Sequence, residues 1–280
     1  MNESGQDIFA SGDPLIDRTP DDGILRLASH NINGSQMGHR GFEVAPDIDV
    51  NDELGIDISG LQETKKPWTA QTVDCTTSKH NSNGPKDGSR DKGIVVINAY
   101  RTCHVKTDNP GPFTSYQMEY IGLRESGIKD PQPRFQILKD LTTLIDEKRE
   151  QGYRPIVMMD ANEDWVAESH KQQGNKLKKF MQHSQLADPF FLKFNQAPRT
   201  YVRGKHRLDY ILVDPALLPA IRNIGYLGSM EANISDHTMA YIDFDEKLLF
   251  KGLINRPTEI HSREFMICQD DKKLKFTTLA

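Results

Sequence analysis

Nowhere in this sequence does an apolar run approach the roughly 20 residues needed to span a bilayer. The opening stretch, MNESGQDIFASGDPLIDRTPDDG, holds neither a basic segment nor an apolar core. A helical membrane protein is thereby excluded, and no secretory signal is expected. Cysteine is scarce: Cys75, Cys103 and Cys268 are far apart and odd in number. That excludes a disulfide framework or a zinc knuckle and suits a reducing compartment, so an intracellular protein, nuclear or cytoplasmic, is expected. Internal repeats and low-complexity blocks are absent too, so the chain is not a repeat array. An excess of positive charge is also missing. The net charge of -5 speaks at first against a nucleic-acid partner. The imbalance is local, however: residues 1–23 hold six acids (Glu3, Asp7, Asp13, Asp17, Asp21, Asp22) against Arg18. The remaining residues sum to zero, and a neutral domain binds a phosphate backbone when its charges segregate onto one face.

What is present suits one large domain with tails. Residues 1–23 read as a flexible acidic leader, without periodicity. Structure is expected from Ile24, where ILRLASH forms a strand and NING a turn. A short helix at 47–55 leads into the strand IDISGLQ. Residues 64–93, rich in Thr, Ser, Asn, Gly and Lys, read as loop. IVVINAY (94–100) is apolar on nearly every position, the mark of a strand covered on both faces. After Pro133, residues Phe135, Leu138, Leu141, Leu144 and Ile145 share one face of a helix ending near Gly152. PIVMMD (155–160) is another buried strand. Leu177, Phe180 and Met181 mark a second amphipathic helix whose other face is rich in lysine. RLDYILV (207–213) and TMAYIDF (238–244) are strands, with a short helix near 215–222 between them. Strands alternating with few helices favour a layered α/β or α+β domain.

Polar residues able to do chemistry sit at almost every strand end: Asn31 and Asn33, Gln62 and Glu63, Tyr100, Asp160 and Asn162. The last strand instead begins with Asp236 and His237, which reach the same rim if that strand runs antiparallel to its neighbours. Each has an ordinary reading. Asn31, Asn33 and the Asp160-Ala161-Asn162 step suit plain turns, Glu63 a solvated charge, and Tyr100 a core position. Asp209 is sharper, since both faces of its strand read as buried and a buried carboxylate costs several kcal/mol unless paired. The natural partner is His237. Carboxylates and carboxamides without thiols suit a hard cation, Mg²⁺ or Mn²⁺, rather than zinc.

In order, HNING, LQET, VMMDANED, RLDYILV and SDHTMAYIDF resemble the motifs of the endonuclease/exonuclease/phosphatase superfamily, the fold of DNase I and the exonuclease III-type nucleases. The resemblance covers roughly residues 24–244 and rests on five short motifs, each at its expected strand end. It implies a four-layer sandwich of two mixed β-sheets with helices outside. It also implies that Asn31, Glu63 and Asp236 hold a catalytic metal, with Asn33 reaching it through water. Asp160 would activate the attacking water, Asn162 would donate to a phosphoryl oxygen, and His237, oriented by Asp209, would stabilise developing charge. Tyr100 would contact the phosphate or the leaving group. The expected protein is a Mg²⁺- or Mn²⁺-dependent phosphodiesterase, a monomeric endonuclease acting on DNA rather than RNA.

Two departures stand out. Where the family usually has Pro-Asn after the tyrosine, this chain has Arg101-Thr102. Its AYR and PRFQILKDL segments resemble retroelement-encoded endonuclease domains, and the tail LLFKGLINRP…HSREF within 245–280 resembles the segment that follows such domains. The second departure is a gap: the family builds several strands between Glu63 and Tyr100, and residues 64–93 offer only loop. A truncated first sheet would leave IVVINAY at an open edge and impair stability and substrate grip. Two alternatives to the endonuclease stand beside it: a phosphatase of the same superfamily acting on inositol phosphates or lipids, and an inactive retroelement-derived remnant.

Overall fold

The computed structural model describes residues 10–15, 23–33, 53–63, 74–77, 93–103, 114–167, 176–196, 198–228 and 235–250. The expected leader at 1–9 and 16–22, the helix at 47–52, the loop at 64–73 and 78–92, and the tail at 251–280 lie outside them. Among the described residues no helix is long and apolar enough to cross a membrane.

The chain forms the expected α/β sandwich of two mixed sheets. The first sheet runs β1 (Ser11–Gly12), β8 (Ile221–Leu227), β9 (Met239–Asp245), β2 (Ile24–Asn31) and β3 (Ile58–Gln62) in spatial order. The second runs β4 (Asp74–Thr77), β5 (Gly93–Tyr100), β6 (Tyr153–Asp160) and β7 (Asp209–Val213). Among the described residues β2–β3 and β5–β6 pair in parallel, and the other neighbouring strands are antiparallel. Strand alternation sorts the side chains. Leu27, Ile94, Val96, Ile156, Met158, Ile211, Val213, Ile224, Ala240, Ile242 and Phe244 fill the space between the sheets. Val95, Ile97, Val157, Met159, Tyr210 and Leu212 face the other way, onto helices α2 (Pro133–Glu150) and α3 (Lys176–His183). Leu141, Ile145, Leu177 and Phe180 meet them there. The outer face of the first sheet packs Ala28, Met239 and Tyr241 against Leu54, Leu15 and Ile56. A first helix, α1 (Ser115–Glu125), has no buried residue, and a short α4 (Pro189–Phe194) precedes β7.

Several expectations are corrected. Asp74–Thr77 lies inside the segment read as loop, yet forms β4 and pairs with β5 from Asp74↔Asn98 to Thr77↔Val95. The IVVINAY strand is therefore flanked on both sides, by β4 and β6, and the open edge expected of a truncated sheet is occupied. Thr76 and Thr77 are β-branched residues, which suit a strand. Phe135 was expected on the core face of its helix but is 52% exposed; it lies in the first turn, with the Lys176 ammonium 5.5 Å from its ring centre. β8 was not expected at all: its apolar residues are interrupted by a register shift between Ile221 and Asn223. Beyond residue 244, the short α5 (Glu246–Leu249) buries Leu249 against the inter-sheet core.

At the other end, β1 docks inside the supposed leader. The Asp13 carboxylate accepts from Ile224 N at 2.8 Å and from Lys193 Nζ at 2.6 Å, while the Tyr241 hydroxyl donates to its carbonyl at 2.6 Å. This approach needs Gly225, where a Cβ would stand 2.8 Å from Asp13 O and 2.9 Å from Ser11 O. Because backbone atoms cannot yield as side chains do, Gly225→Val should expel β1 and destabilise the domain by about 1–3 kcal/mol. Urea unfolding measures this, and an unchanged midpoint would mean that β1 does not dock.

Candidate active site

The space between the sheets is apolar at one end and polar at the other, and strand parity makes it so. Asn31 follows Leu25, Leu27 and Ser29 on the inner face of β2, as Asp160 follows Ile156 and Met158 on β6. Asp209 lies on the face of β7 that carries Ile211 and Val213 inward, and Asn98 and Tyr100 extend the face of Ile94 and Val96. Registry then aligns them: Asn31 is opposite Gln62, Tyr100 opposite Asp160, and Asp160 opposite Asp209. The start of β9 arrives antiparallel to β2, bringing Asp236 and His237 to the same rim.

Three tight turns finish the site. In Asn31-Ile32-Asn33 and Asp160-Ala161-Asn162, the first side chain accepts from the third residue's N–H, both at 2.8 Å. In Ser235-Asp236-His237 the serine hydroxyl accepts from His237 N at 3.0 Å. The ordinary turn reading of these residues therefore holds, and the same turns aim polar groups at one spot. Asn33, Glu63 and Asn162 adopt positive φ (43°, 53° and 46°), a conformation unfavourable for side chains other than glycine and tolerated best by Asn.

Hydrogen bonds join the groups. Asp160 accepts from Asn31 Nδ2 at 2.7 Å and from Asn162 Nδ2 at 3.1 Å. Asn33 Nδ2 donates to Asp236 Oδ1 at 2.9 Å. His237 Nδ1 and Asp209 Oδ2 are 2.9 Å apart, and the Tyr100 hydroxyl donates to Glu63 Oε1. All the candidate residues thus meet at one end of the sandwich. Sequence reasoning missed Thr200, which is fully buried. Its hydroxyl donates to Asp209 Oδ2 at 2.5 Å and accepts from Leu208 N and Asp209 N at 2.9 and 3.2 Å. A lone threonine in RTYV gives no pattern that would reveal this. Also missed was the amide bridge between sheets, in which Gln62 Nε2 donates to Asn98 Oδ1 at 2.6 Å.

The electrostatics are unusual. Burial, then the charge of Asp209 opposite, pushes the Asp160 carboxyl well above the usual range. For His237, burial works against charge, but Asp209, its hydrogen bond, and Asp160 and Asp236 outweigh it and raise the imidazole to about 9. The Tyr100 phenol stays protonated, held up by burial and by Glu63.

Among the described residues, Asp160, Asp209 and His237 place ligand-type atoms within 4.8 Å of one another. An imidazolium already bound to Asp209 is a poor ligand, since a metal needs the deprotonated ring. The oxygen donors of Asn31, Glu63 and Asp236 fit a hard cation better: the two carboxylates are half-buried and all three donors are oxygens.

No family model and no curated protein matches the chain. Solved structures similar to it include two forms of one enzyme. One is the 3′ phosphatase NExo from Neisseria bound to a product DNA hairpin, with 16% identity, a TM-score of 0.49, and 79% of this chain and 99% of that one covered. The other is the 3′-5′ exonuclease NExo from Neisseria meningitidis, with 17% identity, a TM-score of 0.49, and 79% and 100% covered.

The raised imidazole gives a pH test. A group whose pKa is raised on folding stabilises fully below its unfolded value and loses that contribution as pH rises through the folded one. In EDTA, the unfolding free energy should therefore decline from pH 6.5 to about 9. The decline should be smaller in Asp209→Asn, where the raising charge is gone. Equal pH slopes in the two proteins would remove the ion pair from the account.

Proposed function

We propose that this protein is a metal-dependent phosphodiesterase, an endonuclease that cuts DNA. The observation that carries the reading is the buried Asp160, Asp209 and His237 cluster, with Asn31 bonded to Asp160 and Asn33 to Asp236 beside it. In-line attack on a phosphodiester needs a positioned water, a proton acceptor, neutralisation of growing charge and help for the departing oxygen. Each need has a residue here.

Asn31, Glu63 and Asp236 would hold Mg²⁺ or Mn²⁺. Bound there, the cation would draw charge from the phosphoryl oxygens and favour departure of the leaving oxygen. Asp160 in its ionised form would accept the proton of the attacking water, and burial raises its affinity for that proton. His237 remains an imidazolium because Asp209 holds Nδ1, leaving Nε2 as a charged donor for a phosphoryl oxygen. Asn162 offers an amide N–H in place of its longer bond to Asp160. The protonated Tyr100 donates at the same rim. DNA as the substrate, cut within the chain, is supported by the AYR and INRP segments of the sequence.

Plasmid DNA with Mg²⁺ should be nicked, and EDTA should abolish the nicking. Glu63→Gln and His237→Ala should each slow it by about 10² or more, because each removes stabilisation of transition-state charge. Nicking that survives both changes would mean that another site, or another protein, does the cutting. Phosphate release from inositol phosphates or phospholipids without any nicking would instead give the phosphatase.

A further inference from the structure

The Arg101-Thr102 departure has no role in the chemistry above, yet Arg101 is among the largest fully buried side chains. Its guanidinium lies beneath the site. Nη1 donates to Glu163 Oε2 at 2.6 Å and to Ala161 O at 3.1 Å, and Nε donates to Arg134 O at 2.8 Å. Arg134, in the first turn of α2, completes the arrangement: Nη1 donates to Thr102 O, and Nη2 donates to Asn162 O at 2.9 Å. Glu163 is used on both oxygens, since Oε1 accepts from Leu177 N at 2.9 Å at the start of α3.

We infer that Arg101 and Arg134, bridged by Glu163, are positioning residues that hold the Asn162 amide and the Tyr100 strand end in working register. The inference rests on the phosphodiesterase reading for its catalytic consequence. The Arg134 fork spans two separate loops by gripping one carbonyl from each. Between those loops, Arg101 N donates to Asp160 O at 2.9 Å, and Asn162 Nδ2 donates to Arg101 O at 2.8 Å. The Asn162 amide is thus oriented by the residue that replaces the family's proline. Asn162 stands at a φ of 46°, a left-handed conformation that asparagine tolerates but that surrounding contacts help to fix. Two diverging N–H groups on a rigid plane suit that task, and a lysine ammonium cannot reproduce them. Cys103 reports on the outcome, because its thiol donates to Asn162 Oδ1 at 2.9 Å and is exposed to reagents.

The test compares the full chain with Arg134→Lys, Arg134→Ala and the milder Glu163→Gln, using plasmid nicking and hydrolysis of bis(p-nitrophenyl) phosphate. For Arg134→Lys, kcat should fall about 10-fold to 100-fold on both substrates with KM held within about 2-fold, as expected for misplaced catalytic groups. Added guanidinium should partly restore Arg134→Ala but not Asn162→Ala. Glu163→Gln should lose less, in the same direction. Independently of catalysis, iodoacetamide should alkylate Cys103 faster in the Arg134 variants, read by peptide mass. A raised KM with kcat unchanged would make Arg134 a substrate contact and overturn the proposal. So would a lowered melting temperature with unchanged kcat, which is the behaviour of a structural staple. Should the unaltered protein hydrolyse neither substrate, the phosphodiesterase reading fails. The Cys103 rate then decides the positioning claim alone, and an unchanged rate overturns it.

Discussion

Asp160 and Asp209 face each other from neighbouring strands, and both are sealed from water. Like charges directly opposite in a sheet repel, and each buried carboxylate costs several kcal/mol unless it finds partners. Much of the architecture at this end of the sandwich answers that problem. Asn31 and Asn162 give Asp160 its donors, Thr200 and His237 share one oxygen of Asp209, and burial shifts Asp160 towards its neutral form. One oxygen of Asp209 still has no hydrogen-bond partner among the described residues. The two sheets are locked together there, because Asp209 belongs to one and His237 leads into the other.

From this constraint follows the use of strained turns. The polar groups must come from strand ends on the inner face, and a strand carries only alternate residues to that face. A turn that closes on its own side chain brings a second donor round to the same spot, as Asn33 and Asn162 do. The left-handed backbone at Asn33 and Asn162 goes with these turns. Backbone strain of this kind collects where surrounding contacts over-determine the geometry, and such places are commonly functional.

Strands β2, β3, β5, β6, β7 and β9 and the long α2 were legible in the sequence because apolar runs and a helical period survive without knowledge of the fold. The motif residues were legible because chemistry-bearing types sat where those runs ended. What escaped depended on distant partners. β1 forms only because Gly225 admits Asp13 and Ser11, and β4 only because β5 offers an edge. α1 buries nothing of its own, so its core-facing signal is weak. Phe135 has the right spacing for the core face, but in the first turn of α2 it stands largely exposed. The supporting residues around the site were the least legible. Thr200 acts on Asp209 nine positions away, and Arg134 acts on Asn162 across twenty-eight; no local pattern encodes either.

Charge balance separates the scaffold from the site. Arg26 meets Asp243 through two bonds of 2.7 and 2.9 Å, and Arg207 meets Asp188 at 2.6 and 3.0 Å. The Arg207 guanidinium is further enclosed by Phe190, Tyr210 and Tyr226. Breaking such a pair leaves an uncompensated buried charge, at a cost of about 3–5 kcal/mol, so these pairs are staples. Arg207 also donates to the Tyr226 hydroxyl, which donates in turn to Asp209 O at 2.8 Å; the balanced pair thereby fixes the backbone of the unbalanced cluster. In that cluster two buried carboxylates share one imidazole, an arrangement that folding alone gives no reason to keep. A fold that gives Arg26 and Arg207 an aspartate each, yet leaves two buried carboxylates to one imidazole at the polar end of its core, carries there an imbalance that the proposed phosphodiesterase would put to use.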